Sequence, residues 1–117
     1  MRRGEIYVVD LEPARGGEAS RSRPVVIVSH DALNAVVERL RRGVLTVVPL
    51  TSNAERVLAF QVYLPAEVTG LSRDSKAQAE QVLALAFERF APEPVGVLPE
   101  GYMRQLEGAL RLHLGLE

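Results

Sequence analysis

The sequence predicts a β-rich α+β fold, and three observations carry that prediction. Four short runs of β-branched and aromatic residues are separated by clusters of Gly, Pro, Ser and Asn, the pattern of strands joined by loops. Two stretches recur at clear helical spacing, one interior and one C-terminal. Helices therefore do not alternate with every strand, which argues against βαβ units.

EIYVVDL (5–11) reads as a first strand, and Glu12-Pro13-Ala14-Arg15-Gly16-Gly17 breaks it into a loop. Pro24 opens PVVIVS (24–29), too short and too β-branched for a helix and apolar enough for a buried strand. Ser29 or Asp31 can cap a helix running through Arg41, with Leu33, Val36, Val37 and Leu40 as its apolar stripe and Gly43 as its stop. VLTVVPL (44–50) and AFQVYLP (59–65) read as further strands around the turn-forming Ser52-Asn53-Ala54-Glu55. From Lys76 to Phe90 the Ala, Gln, Glu and Leu content favours a helix, while every second residue from Ala77 to Phe87 also suits a strand. At the C-terminus Pro99 and Glu100 start a helix, Met103, Leu106, Leu110 and Leu114 form its stripe, and Gly115 ends it.

The chain has 117 residues, so one domain over 1–117 is expected. Its 47% hydrophobic and 25% charged residues are those of a globular protein rather than a disordered one. With no cysteine and only His30 and His113, thiol nucleophiles and multi-His or Cys-ligated metal sites are excluded, so neither metal nor other cofactor is expected. The start carries no secretory apolar stretch and no span is long enough for a membrane helix, so a cytoplasmic location without membrane contact is expected. Net charge is −1, yet residues 1–44 carry +2 and residues 45–117 carry −3. This permits nucleic-acid binding without demanding it.

The usual catalytic motifs, GxxxxGK[ST], HExxH and GxSxG, are missing, which removes most nucleotide and serine hydrolases. What remains is a polar and basic loop from Arg15 to Arg23, containing Glu18 and Arg21, that delivers Arg23-Pro24 into an apolar strand. Arginine forks match phosphate oxygens and glycines admit a close backbone approach, while a solvated loop pairing its arginines with Glu12 and Glu18 is the competing reading. Thr51, Ser52 and Asn53 end a strand, where they can donate to a phosphate or simply form a turn. Glu80 and Gln81 interrupt an apolar run, either as readers of a base edge or as a solvent-facing pair. His30 reads as a cap or surface residue rather than a base.

Together these pieces resemble the MazF/PemK family of toxin endoribonucleases. The matching blocks are RRGEIYVVDLEPARGGEASRSRPVVIVSHDALN (2–34), TVVPLTSN (46–53), Glu80-Gln81-Val82 and LEGALRLHLGL (106–116). The resemblance implies a small SH3-like barrel of the CcdB/MazF type, with a short helix after the second strand and a terminal helix. It also implies strand rather than helix from Lys76 to Phe90. The family's catalytic arginine and threonine fall on Arg23 and Thr51, its loop acid on Glu18 and its next polar residue on Ser52. Arg15, Arg21, Asn53 and Gln81 are the remaining candidates for RNA binding or support. Two departures stand out: the family's usual Asp-Gln-Val/Ile-Arg is Glu80-Gln81-Val82-Leu83 here, and Ala84 and Ala86 occupy positions where polar residues are common.

The activity so implied is metal-independent, sequence-specific cleavage of single-stranded RNA such as messenger RNA, by a homodimer held in check by a cognate MazE-like antitoxin. Without thiol or metal, the ribose 2′-OH serves as the nucleophile, giving a 2′,3′-cyclic phosphate and a 5′-OH. Arginine suits charge stabilisation better than proton abstraction, because a guanidinium holds its proton at neutral pH. The excess of arginine in residues 1–44 is expected to attract both RNA and an acidic antitoxin tail. A non-catalytic CcdB-like topoisomerase inhibitor and a degenerate antitoxin- or RNA-binding module are the alternatives, and retention of Arg23 and Thr51 favours the nuclease over both. Lys76→Ala is the expected control, a substitution that should leave cleavage normal.

Overall fold

The computed structural model describes residues 1–12 and 21–117, with the backbone alone at Glu12 and Arg21. The β-branched runs form β1 (Glu5–Glu12), β2 (Arg21–Ile27) and β3 (Val44–Thr51), with α1 (Asp31–Leu40) between the last two. β4 (Gln61–Leu64), the short α2 (Ala66–Thr69), β5 (Ser75–Gln78), β6 (Leu83–Ala86), β7 (Gly96–Val97) and α3 (Glu100–Leu114) follow. The strands form one antiparallel sheet in the order β4-β5-β3-β2-β1-β7, and β6 also pairs with β3.

β3 organises the sheet because it changes partners along one edge. Val44–Val47 pair with β6, whereas Leu50 and Thr51 pair with Ala77 and Lys76 of β5. Pro49, which has no N–H to leave unpaired, lies between the two partners. A single bridge from Phe90 to Val9, supported by Ala91 N–H donating to the Val8 carbonyl at 2.9 Å, then joins the segment after β6 back to β1. β1, β2, β3 and β6 thus run round into a small barrel.

Alternation sorts the side chains between two cores. Tyr7, Val9, Val25, Ile27, Leu45, Val47 and Leu85 fill the barrel. Ile6, Val26, Val48, Leu50, Val62, Leu64, Ala77 and Ala79 face the other way and meet Met103, Leu106 and Ala109 of α3. Burying Leu106 completely is worth roughly 2 kcal/mol, so α3 is held mainly by this face. Gly96 is required where β7 passes α2, because a Cβ there would collide with the Thr69 carbonyl oxygen.

Several expectations need correction. Lys76–Phe90 is neither a helix nor one strand: β5 and β6 are separated by a 3₁₀ turn at Ala79–Gln81, and a second at Phe87–Arg89 follows. The alanines fit a crowded interior, Ala77 and Ala79 being fully buried. α1 is capped by His30, whose Nδ1 accepts from Ala32 N–H at 3.0 Å, rather than by Ser29 or Asp31. It ends at Arg41, which takes the left-handed conformation with φ 56°, before Gly43 is reached. Of its expected stripe only Val37 packs on the barrel core, while Leu33 and Leu40 are 64% and 57% exposed. On α3, Met103 and Leu106 are buried but Leu114 is exposed.

Candidate active site

The β2–β3 ladder brings the two expected catalytic residues together. Val25, Val26 and Ile27 lie opposite Pro49, Val48 and Val47, and continuing that ladder by two residues sets Arg23 opposite Thr51. Both positions share the parity of Val25 and Val47, so they occupy the rim of the barrel beyond its apolar filling. Adjacent strands lie about 4.8 Å apart, well within the combined reach of an arginine and a threonine. Arg23 is anchored on its other side opposite Val9, and both residues are half-buried.

Thr51 ends β3, and its Oγ1 accepts from Asn53 N–H at 3.2 Å while Ala54 N–H donates to the Ser52 carbonyl at 3.0 Å. The turn-forming reading of these residues therefore holds, and it leaves the Thr51 hydroxyl proton to donate elsewhere. Ser52 and Asn53 are exposed on that turn. A cleft of about 310 Å³ opens beside it, lined by Pro24, Ser52, Leu71, Ser72, Arg73 and Ser75. Another of about 400 Å³, lined in part by Tyr7, Glu38, Arg41 and Phe87, holds none of the candidate residues.

The other candidates are placed unevenly. Arg15 and Glu18 lie outside the described residues. Arg21 belongs to β2, where its backbone pairs with Glu12 across a register shift after Asp10. Glu80 and Gln81 do not behave as a pair. Gln81 is exposed on the 3₁₀ turn, whereas Glu80 turns inward, accepts from the buried Gln61 Nε2 at 2.8 Å and leaves its Oε1 buried without a partner among the described residues. Gln61 in turn accepts from Leu58 N–H at 2.9 Å, so this turn supports the 52–60 loop. Leu83 packs against the barrel core, consistent with an apolar residue there.

Lys76, expected to be a neutral control, lies next to the candidate pair. It is the register partner of Thr51, and its Nζ donates to the Arg56 carbonyl at 2.6 Å, tying β5 to the same loop. Sequence reasoning missed it because strand register is a tertiary property. The Ser29–Asn34 network was missed as well: Asn34, 1% exposed, accepts from Ser29 Oγ at 2.5 Å and donates to the Ser29 carbonyl at 2.8 Å. Its only sequence signal was a polar residue inside a helix start.

Comparison with known proteins agrees with this architecture. The family model of PemK-like, MazF-like toxins of type II toxin-antitoxin systems matches residues 2–114. The chain is 55% identical to endoribonuclease MazF9 of Mycobacterium tuberculosis, over 99% of this chain and 98% of that protein. It is 34% identical to endoribonuclease MazF6 of the same species, over 99% and 98% respectively. Among solved structures it is similar to a MazE-MazF crystal structure from Deinococcus radiodurans, with a TM-score of 0.76 at 25% identity over 100% of this chain and 97% of that one. The chain belongs to the PemK-like, MazF-like toxins of type II toxin-antitoxin systems.

Proposed function

We propose that this chain is an endoribonuclease toxin that cleaves single-stranded RNA between Arg23 and Thr51, and that residues 1–117 form one domain of that kind. The observation that supports the reading best is the antiparallel β2–β3 pairing: Arg23 and Thr51, far apart in sequence, each lie two residues beyond its last pair, Val25 opposite Pro49, on the face that fills the apolar barrel. In the reaction the ribose 2′-oxygen bonds to the neighbouring phosphorus as its proton passes to a water molecule. The bond to the 5′-oxygen then breaks, and that oxygen takes up a proton. Arg23 stabilises the extra charge on the non-bridging oxygens, and Thr51 donates a hydrogen bond to one of them. Neither role calls for a metal.

The enzyme works as a homodimer in the cytoplasm and is inhibited by a cognate antitoxin. Exposed Leu33, Leu40 and Val44 offer apolar surface to a partner, and no described helix is long and apolar enough to cross a membrane. A similar structure is that of an endoribonuclease from Mycobacterial species in complex with its cognate antitoxin. The deciding experiment incubates the protein with RNA and with DNA of the same sequence in excess chelator, then analyses the ends. RNA fragments with 2′,3′-cyclic phosphate and 5′-OH ends, with DNA left intact, are expected. Cleavage that requires added magnesium or manganese, or that extends to DNA, overturns the mechanism.

A further inference from the structure

The rung that holds Arg23 and Thr51 extends beyond them. Thr51 is the register partner of Lys76 on β5, and Lys76 is the register partner of Tyr63 on β4. Positions 51, 76 and 63 therefore follow one another across three strands on one face of the sheet, and the β2–β3 register, continued by two residues, places Arg23 next to Thr51. The neighbouring rung, Leu50, Ala77 and Val62, faces the α3 core and is 5% exposed or less. The 63–76–51 row is thus the polar counterpart of a buried apolar row.

Tyr63 is 43% exposed, yet it is held in place by its hydroxyl, which donates to Asp74 Oδ2 at 2.7 Å. Asp74 is itself fixed by accepting from Ala66 N–H at 2.8 Å through Oδ1. No aromatic ring or cation stacks on Tyr63 among the described residues. Its bond to the Arg56 carbonyl leaves Lys76 Nζ two further N–H donors. An oriented aromatic surface beside a cation is the combination that binds single-stranded nucleic acid, because every base has a π-face and every linkage a negative charge. The Asp74 carboxylate repels a phosphate at the hydroxyl end of the ring, which directs the backbone toward Lys76.

We propose that Tyr63 and Lys76 form a nucleotide subsite beside the cleavage site, with an unpaired base stacked on the Tyr63 ring and its phosphate paired with the Lys76 ammonium. This rests on the reading of Arg23 and Thr51 as the cleavage pair. Strand spacing puts Tyr63 about 10 Å from Thr51, so the subsite holds a nucleotide flanking the scissile linkage rather than the linkage itself.

The test measures binding of the intact protein to oligouridylate and oligoadenylate 12-mers carrying 2′-O-methyl groups, which keep base and phosphate but lack the attacking hydroxyl. Tyr63→Ala raises Kd about tenfold or more, and Tyr63→Phe, which keeps the ring without the Asp74 bond, recovers most of that loss. Lys76→Ala lowers the slope of log affinity against log salt by about 0.7, and Lys76→Arg restores it. Four results overturn the subsite: wild-type affinity in Tyr63→Ala, equal losses in Tyr63→Ala and Tyr63→Phe, an unchanged salt slope in Lys76→Ala, or no binding of either 12-mer by the wild type. An affinity loss confined to an acidic antitoxin peptide assigns the pair to that partner instead, and overturns it too. Cleavage by Arg23→Ala is followed separately: if it persists, the cleavage pair is wrong while the binding results still judge Tyr63 and Lys76.

Discussion

The two ends of the β2–β3 pair are built in opposite ways. At the Ile27 end every nearby chain is tied down: Gly4 N–H donates to the Ile27 carbonyl at 2.8 Å, Val28 N–H to the Thr46 carbonyl at 2.9 Å, and Thr46 N–H to Ser29 Oγ at 3.2 Å. At the Arg23 end the strands open into a turn held by a few local bonds and by Lys76 reaching the Arg56 carbonyl. Between them lies the apolar filling of the barrel. One end spends its polar groups on structure, and the other, on the proposed function, keeps them for a ligand. Stability and chemistry should therefore be separable by mutation along one pair of strands.

The largest effect is expected at the open end. Arg23→Ala and Thr51→Ala should each lower the single-turnover cleavage rate by ~10² to 10³, the usual loss of a preorganised donor, while unfolding in urea shifts by less than about 1 kcal/mol. A near-normal rate in either variant would remove that residue from the site. Asn34→Ala should do the reverse at the tied end, costing roughly 2 to 3 kcal/mol in urea, because Ser29 loses both of its hydrogen bonds to Asn34 in a part-buried place. Cleavage per folded molecule should be unchanged, and a variant that stays stable but loses activity would break the division between the ends.

A smaller effect separates the barrel interior from the rim. Burial, helped by the carboxylate of Glu5, pushes the Tyr7 phenol up to about 12. Its folded value lies above the unfolded value of ~10, so the stability it contributes is complete below pH 10 and is lost as pH rises toward 12. The loss is of order 2 kcal/mol, and Tyr7→Phe should flatten that part of the stability profile. The Tyr63 phenol is raised as well, chiefly by its bond to Asp74, but it stands exposed at the rim. Tyr63→Phe should leave the alkaline fall in place, and if it alone abolishes the fall, the assignment to the interior is wrong.

What the sequence disclosed follows from how local each cause is. β1, β2 and β3 were legible because runs such as EIYVVDL and PVVIVS suit a strand whatever surrounds them. α3 was legible because Pro99, a repeating apolar stripe and Gly115 are all local signals. Lys76–Phe90 was not, because Ala77 and Ala79 answer to a packed interior and its turns to the partner change of β3. The candidate site divides in the same way. Resemblance singled out Arg23 and Thr51, but their common rung depends on register between distant segments, and so does the place of Lys76 beside Thr51. Asn34 was hidden for another reason: a polar side chain near a helix start usually faces water, and this one is buried.

The Val9–Phe90 bridge has a consequence for how the protein is made. Arg23 and Thr51 leave the ribosome early, but the barrel that holds their strands cannot close until β6 and Phe90 have followed. At ~5 to 20 residues per second that delay lasts seconds, and contacts between such distant segments form slowly in any case. The nascent chain thus carries both proposed catalytic side chains through about a third of its own translation without the scaffold that aligns them. A toxin directed at messenger RNA would in this way be assembled only once the message beneath it has largely been read.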